Sequence, residues 1–510
     1  MTKKRKKLLP LLLIAVLLLA AAAAYALLTP KTDARTALRE ATAALVPETP
    51  SDLNGIDGRI ARAVCDNFSL TPSGNVSTRF HSAIGGVHVH YLDVDALTAD
   101  LAPEMQALLS QRVEQAGRRS EVYDSDGQYL PALVEQAYAN AVAERLTHVD
   151  DYCRHADIPV TLSYAHGAWS LDNEAEILSY LRLPEISMPG CREASLALEP
   201  VALHYSLPDR TSPGPVPDAA CFGETTDPAV IAELLATETA QRLIGGQATD
   251  WTEEKETLPG RPIYYYLDET ILALVWQEDE HGAVGTFAEV FLADASQLRR
   301  KIADDNFASP GYEYPTVMAQ QANAVVAVSG DFFNSGRPTY GVSVYDGQIG
   351  KYWLADGQTC YFDDQGDMLF SYEKDFADAA EAQRFVDEHR VSFSLAFGPV
   401  MVDHGQDVTP YSYPLGEVLD TYARCAIGQL GKLHYLAMTI NCESPDYYVY
   451  VTLRQAADSM IAHGCQNAYT LDGGQTGSII IGGRLINPVQ FGVERQMSDI
   501  VYFATALPAE

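Results

Sequence analysis

From about residue 261 the chain is written in short apolar runs, each stopped by a turn that contains glycine. IYYYLDETILALVWQ and GTFAEVFLAD flank EDEHG, YGVSVYDGQIG carries Asp346-Gly347, and SIIIGGRLINPV carries Gly482-Gly483. Glycine tolerates the positive φ that tight hairpins need, so this punctuation predicts paired strands rather than long helices. AVVAVSGDFF reads as a buried strand ending at Asp331, and SFSLAFGPVMVDHGQ as strand, Gly-Pro, strand and turn. RCAIGQLGKLHYLAMTI reads as a strand pair. SQLRRKIAD, EYPTVMAQQAN, EAQRFVDEHRV and LRQAADSMIAHG have helical spacing. The expected fold class is α+β, with a mixed sheet and helices on it over residues 261–510.

Upstream the texture differs. VHVHYLDV alternates as a strand, LPALVEQAYANAVAERLTHV is helical, and VTLSYAHGAWSL turns at His166-Gly167. Residues 56–260 are therefore expected to form an α+β accessory domain. His88 and His90 share one strand face there, a spacing open to a metal-ligand pair but far more common for two ordinary strand histidines. Residues 31–55 read as a helix and a linker.

At the N-terminus, KKRKK precedes LLPLLLIAVLLLAAAAAYALL, Leu8 to Leu28. A run of that length suffices for a membrane span of ~20 residues, and the lysines ahead of it place the rest of the chain outside the cytoplasm. Residues 1–30 are thus expected to be a basic stub with a single-pass transmembrane anchor, or a signal peptide cleaved near Ala24-Tyr25-Ala26. The expected location is the cell membrane, with the bulk of the chain extracytoplasmic. Export permits disulfides among the eight cysteines, with Cys65–Cys153 and Cys191–Cys221 as candidate pairs. The net charge of −33, with no basic stripe, argues against a nucleic-acid partner.

One stretch invites chemistry. AYTLDGGQTGSIIIGG sets Asp472 between an apolar strand and two glycines. Asp-Gly also makes ordinary turns, but a carboxylate at a strand end beside backbone that only glycine permits is suited to ligand contact. Asp331 has the same setting. A pair of such carboxylates with arginines would suit a sugar joined to phosphate, because carboxylates act on an oxocarbenium-like centre and guanidinium forks match phosphate oxygens.

Five pieces in order carry a resemblance: TVMAQQANAVVAVSGDFF, then Arg337 with Gly341, LAFGPVMVDHGQ, RCAIGQLGKLHYLAM, and GCQNAYTLDGGQTG. Residues 286–503 resemble the phosphodiester glycosidase family. That family includes N-acetylglucosamine-1-phosphodiester alpha-N-acetylglucosaminidase, the uncovering enzyme, and bacterial surface proteins of the exopolysaccharide-biosynthesis type. The resemblance implies a hydrolase. Its catalytic residues would be Asp331, Asp472 and Arg424, and its substrate-binding residues Arg337, Gly473, Gly474 and Thr476. We assign phosphate to Arg424 and Arg337, and the sugar or its anomeric carbon to Asp472 and Asp331. No cofactor is implied, although oxygen ligands from Asp331 and Asp472 would suit calcium. Ser329 replaces the usual Asn, Tyr345 stands where an Arg is frequent, and NCESPD (441–446) replaces an Asp-Gly-Arg, with Glu443 as a substitute carboxylate. The expected function is extracytoplasmic, membrane-anchored hydrolysis of sugar-1-phosphodiester linkages in cell-envelope or external glycans. The alternative is a catalytically weak or inactive glycan-binding or assembly protein of the same fold.

Overall fold

A computed structural model describes residues 17–20, 33–49, 54–331, 341–353, 357–442 and 450–507, apart from 125, 184–185, 208, 253–254 and 415. Among the described residues no helix is long and apolar enough to cross a membrane. The expected anchor at Leu8–Leu28 lies outside them except for 17–20, which are helical. The chain forms two compact units, Met1–Ala116 with Ser120–Ala202, and Gly117–Arg119 with Leu203–Glu510.

In the first unit, Asp33 caps the helix Ala34–Leu45 by accepting from the Thr36 N–H, which satisfies one of the donors a helix start leaves unpaired. That helix buries Leu38 in a core with Val87, Val89, Ile158, Val160 and Leu162. Those residues line one face of a four-stranded antiparallel sheet, Ser69–Arg79, Ser82–Leu92, Cys153–Ala165 and Ala168–Leu171. His166 and Gly167 take positive φ at the last turn. On the other face His88 Nδ1 lies 3.0 Å from Asp157, and His90 Nδ1 lies 3.3 Å from His155 Nδ1.

The second unit holds three sheets. All their described pairings are antiparallel, which corrects the expected mixed sheet. The reason is local: hairpins such as Ile271–Glu280 with Ala283–Leu292, and Arg424–Gly431 with His434–Asn441, join neighbours directly and leave no room for crossover helices. Nine strands form the largest sheet, from Gln406–Asp407 at one edge to Phe222–Thr225 at the other. Its middle strand His434–Asn441 and the neighbouring Ala283–Leu292 are buried at every residue, because both faces are covered. Helices Leu453–Ala462, Pro228–Leu235 and Glu238–Ile244 cover one face through Leu274, Trp276, Met438 and Met460. The other face meets two five-stranded sheets through Val275, Val290, Ile427 and Leu471, which pack with Val326, Ile479, Val501 and Phe362.

Three further sequence expectations change. The segment Phe222–Thr225 pairs with Ile263–Leu267 in the nine-stranded sheet, so residues 203–260 fold with the second unit and the units divide after Ala202. SQLRRKIAD is not a helix: a short turn at Ala295–Gln297 leads into the strand Leu298–Ile302, which pairs with Asp499–Phe503. Its arginines are tolerated there because remote partners meet them, Ser212 O for Arg299 and Asp499 for Arg300. All eight cysteines are unbridged thiols, so neither expected disulfide forms. Cys65 is buried within the helix Gly55–Asp66, and burial pushes its thiol pKa up.

Candidate active site

The two strands that matter most belong to different sheets. Val326–Ser329 runs in one five-stranded sheet and delivers Asp331; Asn467–Leu471 runs in the nine-stranded sheet and delivers Asp472. Ser329 fastens one to the other. Its hydroxyl donates to Thr476 O at 2.5 Å and accepts from Ser478 N at 2.8 Å, while its own N–H donates to Ser478 O. The Ser that stands where an Asn is usual is therefore a structural tie between the strand that delivers Asp331 and the turn that follows Asp472.

Asp331 is 1% exposed and firmly held. Its backbone N–H donates to both Asp499 oxygens at 3.1 and 3.2 Å, and its Oδ2 accepts from Ala396 N at 2.8 Å. Arg300 completes this network, with Nε 2.7 Å from Asp499 Oδ2 and Nη2 3.8 Å from Asp331 Oδ2. Gly330 is required here, since a Cβ would collide with the Asp499 carboxylate. Asp331 and Asp472 do not belong to a converging group of three side-chain ligands among the described residues, and Asp331 Oδ2 accepts from Ala396 N.

Asp472 is the more accessible carboxylate, its side chain 15% exposed. Burial pushes its pKa up to about 6, the nearby Asp499 adds to the rise, and the Thr476 hydroxyl and Arg495 hold it down. Arg495 Nη2 lies 3.6 Å from Asp472 Oδ2 and its side chain is 53% exposed, so it stands on the solvent side of that carboxylate. Close approach explains both glycines. A Cβ on Gly473 would collide with Ala423 O, and Gly474 takes φ +68° against the Tyr422 ring. Asn441 Nδ2 donates to Gly474 O at 3.1 Å, and the Thr476 hydroxyl donates to Gly473 O at 2.6 Å, fixing the turn. Beside it Tyr422 and Tyr450 stack with centroids 5.8 Å apart, and Gln490 Nε2 donates to the Tyr450 hydroxyl at 2.8 Å.

Arg424 is placed differently from the expectation. Its guanidinium donates to Val418 O at 2.8 Å, Val451 O at 3.3 Å and Asp420 O. It is 5% exposed, and burial lowers its pKa to about 10. It lies beneath Gly473, its fork spent on these three loop carbonyls, of which Val451 O also accepts from the Tyr422 N–H. Arg337 and Glu443 lie outside the described residues. Tyr345 is partly buried, with its ring 5.4 Å from Phe307 and burial pushing its phenol up to about 12.

Residues 322–504 match the phosphodiester glycosidase family. The phosphodiester glycosidase match spans Asp331, Arg424, Asp472, Thr476, Arg495 and Asp499, whereas Arg300 lies upstream of it. A curated relative is the SPbeta prophage-derived uncharacterized protein YomE of Bacillus subtilis strain 168, 25% identical over 197 residues. That alignment covers 38% of this chain and 30% of the relative, so the chain spans under a third of the relative's length. Solved structures similar to this chain include the zebrafish N-acetylglucosamine-1-phosphodiester alpha-N-acetylglucosaminidase catalytic domain, auto-inhibited by its pro-peptide. Its TM-score is 0.37 at 17% identity, covering 51% of this chain and 87% of that one. A hypothetical protein from Synechocystis scores 0.35 at 15% identity, covering 48% and 64%.

Sequence reasoning missed Arg300, Asp499, Arg495 and the Tyr422–Tyr450 pair. A signal existed for Arg300: LRRKI puts two arginines inside an apolar run, and buried guanidinium groups demand a carboxylate partner. Asp499, just ahead of IVYF, is the matching acid.

Proposed function

We propose that the second unit hydrolyses the bond between a sugar's anomeric carbon and a phosphodiester. The observation that carries this reading is Asp472, a part-exposed carboxylate with its pKa raised to about 6, beside a glycine turn and an exposed arginine. In its ionised form Asp472 takes a proton from water as the water oxygen bonds to the anomeric carbon. The bond from that carbon to the phosphate oxygen breaks, and the phosphate leaves as a monoester. Such a leaving group is stable without protonation, so one working carboxylate suffices. Arg495 binds phosphate oxygens, and Asp331, tied to Asp499 and Arg300, supports the floor of the site. Tyr422 offers a flat apolar face to a pyranose ring next to Gly474. On this reading the substrate is a phosphate-linked glycan of the cell envelope or its surroundings, and the chain is membrane-tethered and extracytoplasmic through Leu8–Leu28.

The test is to incubate the full-length chain, solubilised in detergent, with N-acetylglucosamine-1-phosphodiester compounds and measure free sugar. Release by wild type and none by Asp472→Asn supports the assignment. Binding of the compound without release, by folded wild type, would favour the alternative of a glycan-binding protein in this fold.

A further inference from the structure

Away from Asp472, the strand Ile271–Glu280 ends in two acids that share one face, Glu278 and Glu280. The helix Leu453–Ala462 ends at His463, which points its ring between them. His463 Nε2 lies 3.0 Å from Glu278 Oε1 and 3.8 Å from Glu280 Oε1. Two donors bound to one tetrahedral zinc at about 2.0–2.1 Å are roughly 3.3 Å apart, so these separations bracket the chelating value. These three are the one group among the described residues whose ligand atoms converge this way.

We propose that Glu278, Glu280 and His463 bind a divalent transition-metal ion, zinc by ligand chemistry. The surroundings supply what such a site needs. On the far side of the ring, His463 Nδ1 lies 2.7 Å from Asp250 Oδ2, the carboxylate–histidine arrangement that fixes a ligand imidazole with Nε2 toward a metal. Ser459 Oγ donates to Glu280 Oε1 at 3.1 Å and orients the second acid. Glu278 Oε1 is buried, with His463 Nε2 and Lys255 Nζ as ion-pair partners but no well-aligned hydrogen bond among the described residues. Charge also closes. Asp250, Glu278 and Glu280 bring three negative charges, and Lys255, whose Nζ is 2.8 Å from Asp250, 3.1 Å from His463 Nδ1 and 3.7 Å from Glu278, brings one positive. A dication bound in place of the Nε2 proton of His463 balances the remainder. Trp276 and Phe287 wall the site, the latter ring 4.1 Å from His463. One imidazole and two carboxylates select a borderline ion over calcium or magnesium, which favour all-oxygen shells.

Three protein ligands leave a fourth position for water, the form of an open rather than a closed site. The inference stands apart from the proposed glycosidase chemistry, since none of these residues serves Asp472.

The full-length chain, stripped with chelator, is titrated with zinc chloride by calorimetry and with cobalt chloride by visible absorption. One zinc per chain and the d–d bands of tetrahedral cobalt are expected for wild type. Glu280→Gln should lose both readouts while keeping its circular dichroism, and Asp250→Asn should weaken zinc by about 10- to 100-fold. Asp472→Asn should bind zinc as wild type does. Failure of wild type to take up one equivalent, or uptake unchanged in Glu280→Gln, overturns the site. If Glu280→Gln does not fold, His463→Gln titrated with cobalt decides: retained tetrahedral bands overturn the site, and their loss with native circular dichroism supports it.

Discussion

Arg300 and Asp499 form an ion pair 2.7 Å long in which neither side chain has any solvent exposure. The pair also fixes the backbone of Asp331 through the Asp499 oxygens. Removing one partner of such a pair leaves an uncompensated buried charge, which costs about 3–5 kcal/mol. Asp499→Ala should therefore lower unfolding stability by that amount, read as a drop in the denaturation midpoint in urea. A shift under about 1 kcal/mol would mean the pair does not hold the site together.

Asp472 should set a pH profile. Its raised pKa, about 6, means that the working ionised form appears as pH rises through that value. Sugar release, followed as kcat/KM, is expected to climb to about pH 6 and level off above it. A rate that falls through the same range would identify Asp472 as an acid instead of a base.

The same shift makes a stability statement of opposite benefit. The folded state binds the Asp472 proton more tightly than the unfolded chain does, whose carboxylate has the ordinary value of 3.8. This group's contribution is present at low pH and lost as pH rises from about 4 to 6, and the ionised form is a burden above that. Asp472→Asn should thus be inactive yet more stable than wild type at pH 8, by about 1–3 kcal/mol, with the gain shrinking towards pH 4. Equal melting temperatures at pH 8 would contradict the partly buried, burdened carboxylate.

The two arginines should separate by readout. Arg495→Ala removes an exposed cation next to Asp472, so KM for a phosphodiester should rise about tenfold with folding intact. Arg424→Met removes a donor from three loop carbonyls, of which Val451 O keeps the Tyr422 N–H, and should cost about 2–4 kcal/mol of stability. If Arg424→Met is stable and raises KM alone, Arg424 is a phosphate ligand after all.

Gly473→Ala should damage activity before the whole fold. Its Cβ would meet Ala423 O, a backbone atom that cannot rotate away, so the turn carrying Asp472 must shift. A loss of about 100-fold in kcat is expected from displacement on the order of 1 Å, with far-ultraviolet circular dichroism unchanged. Wild-type kcat in this variant would remove the turn from the site.

The legible part of the protein was local. Gly482-Gly483 and Asp346-Gly347 announced their hairpins, and the apolar runs before Asp331 and Asp472 announced strands that end in carboxylates. What escaped was long-range. Arg300 reads as helix surface in SQLRRKIAD, and only Asp499, 199 residues downstream, explains how a guanidinium lives in a strand. Arg424 sat within a recognisable strand, but nothing near it in sequence shows that its fork would be used on Val418, Asp420 and Val451 carbonyls. The division after Ala202 was hidden for a related reason, since Phe222–Thr225 finds its partner only across the loop to Ile263–Leu267.

The strand Asp499–Phe503 lies between Val326–Ser329 and Leu298–Ile302 in its sheet, although it comes after both by more than 150 residues. During synthesis those two earlier strands emerge with bare hydrogen-bonding edges and no neighbour to share. At about 5–20 residues per second, they wait on the order of 10 s or more before the wedge that joins them exists. The carboxylate that steadies Asp331 arrives on that same wedge. A nascent chain stalled within this interval would present open strand edges to chaperones and to other copies of itself, and would gain a finished site only on release.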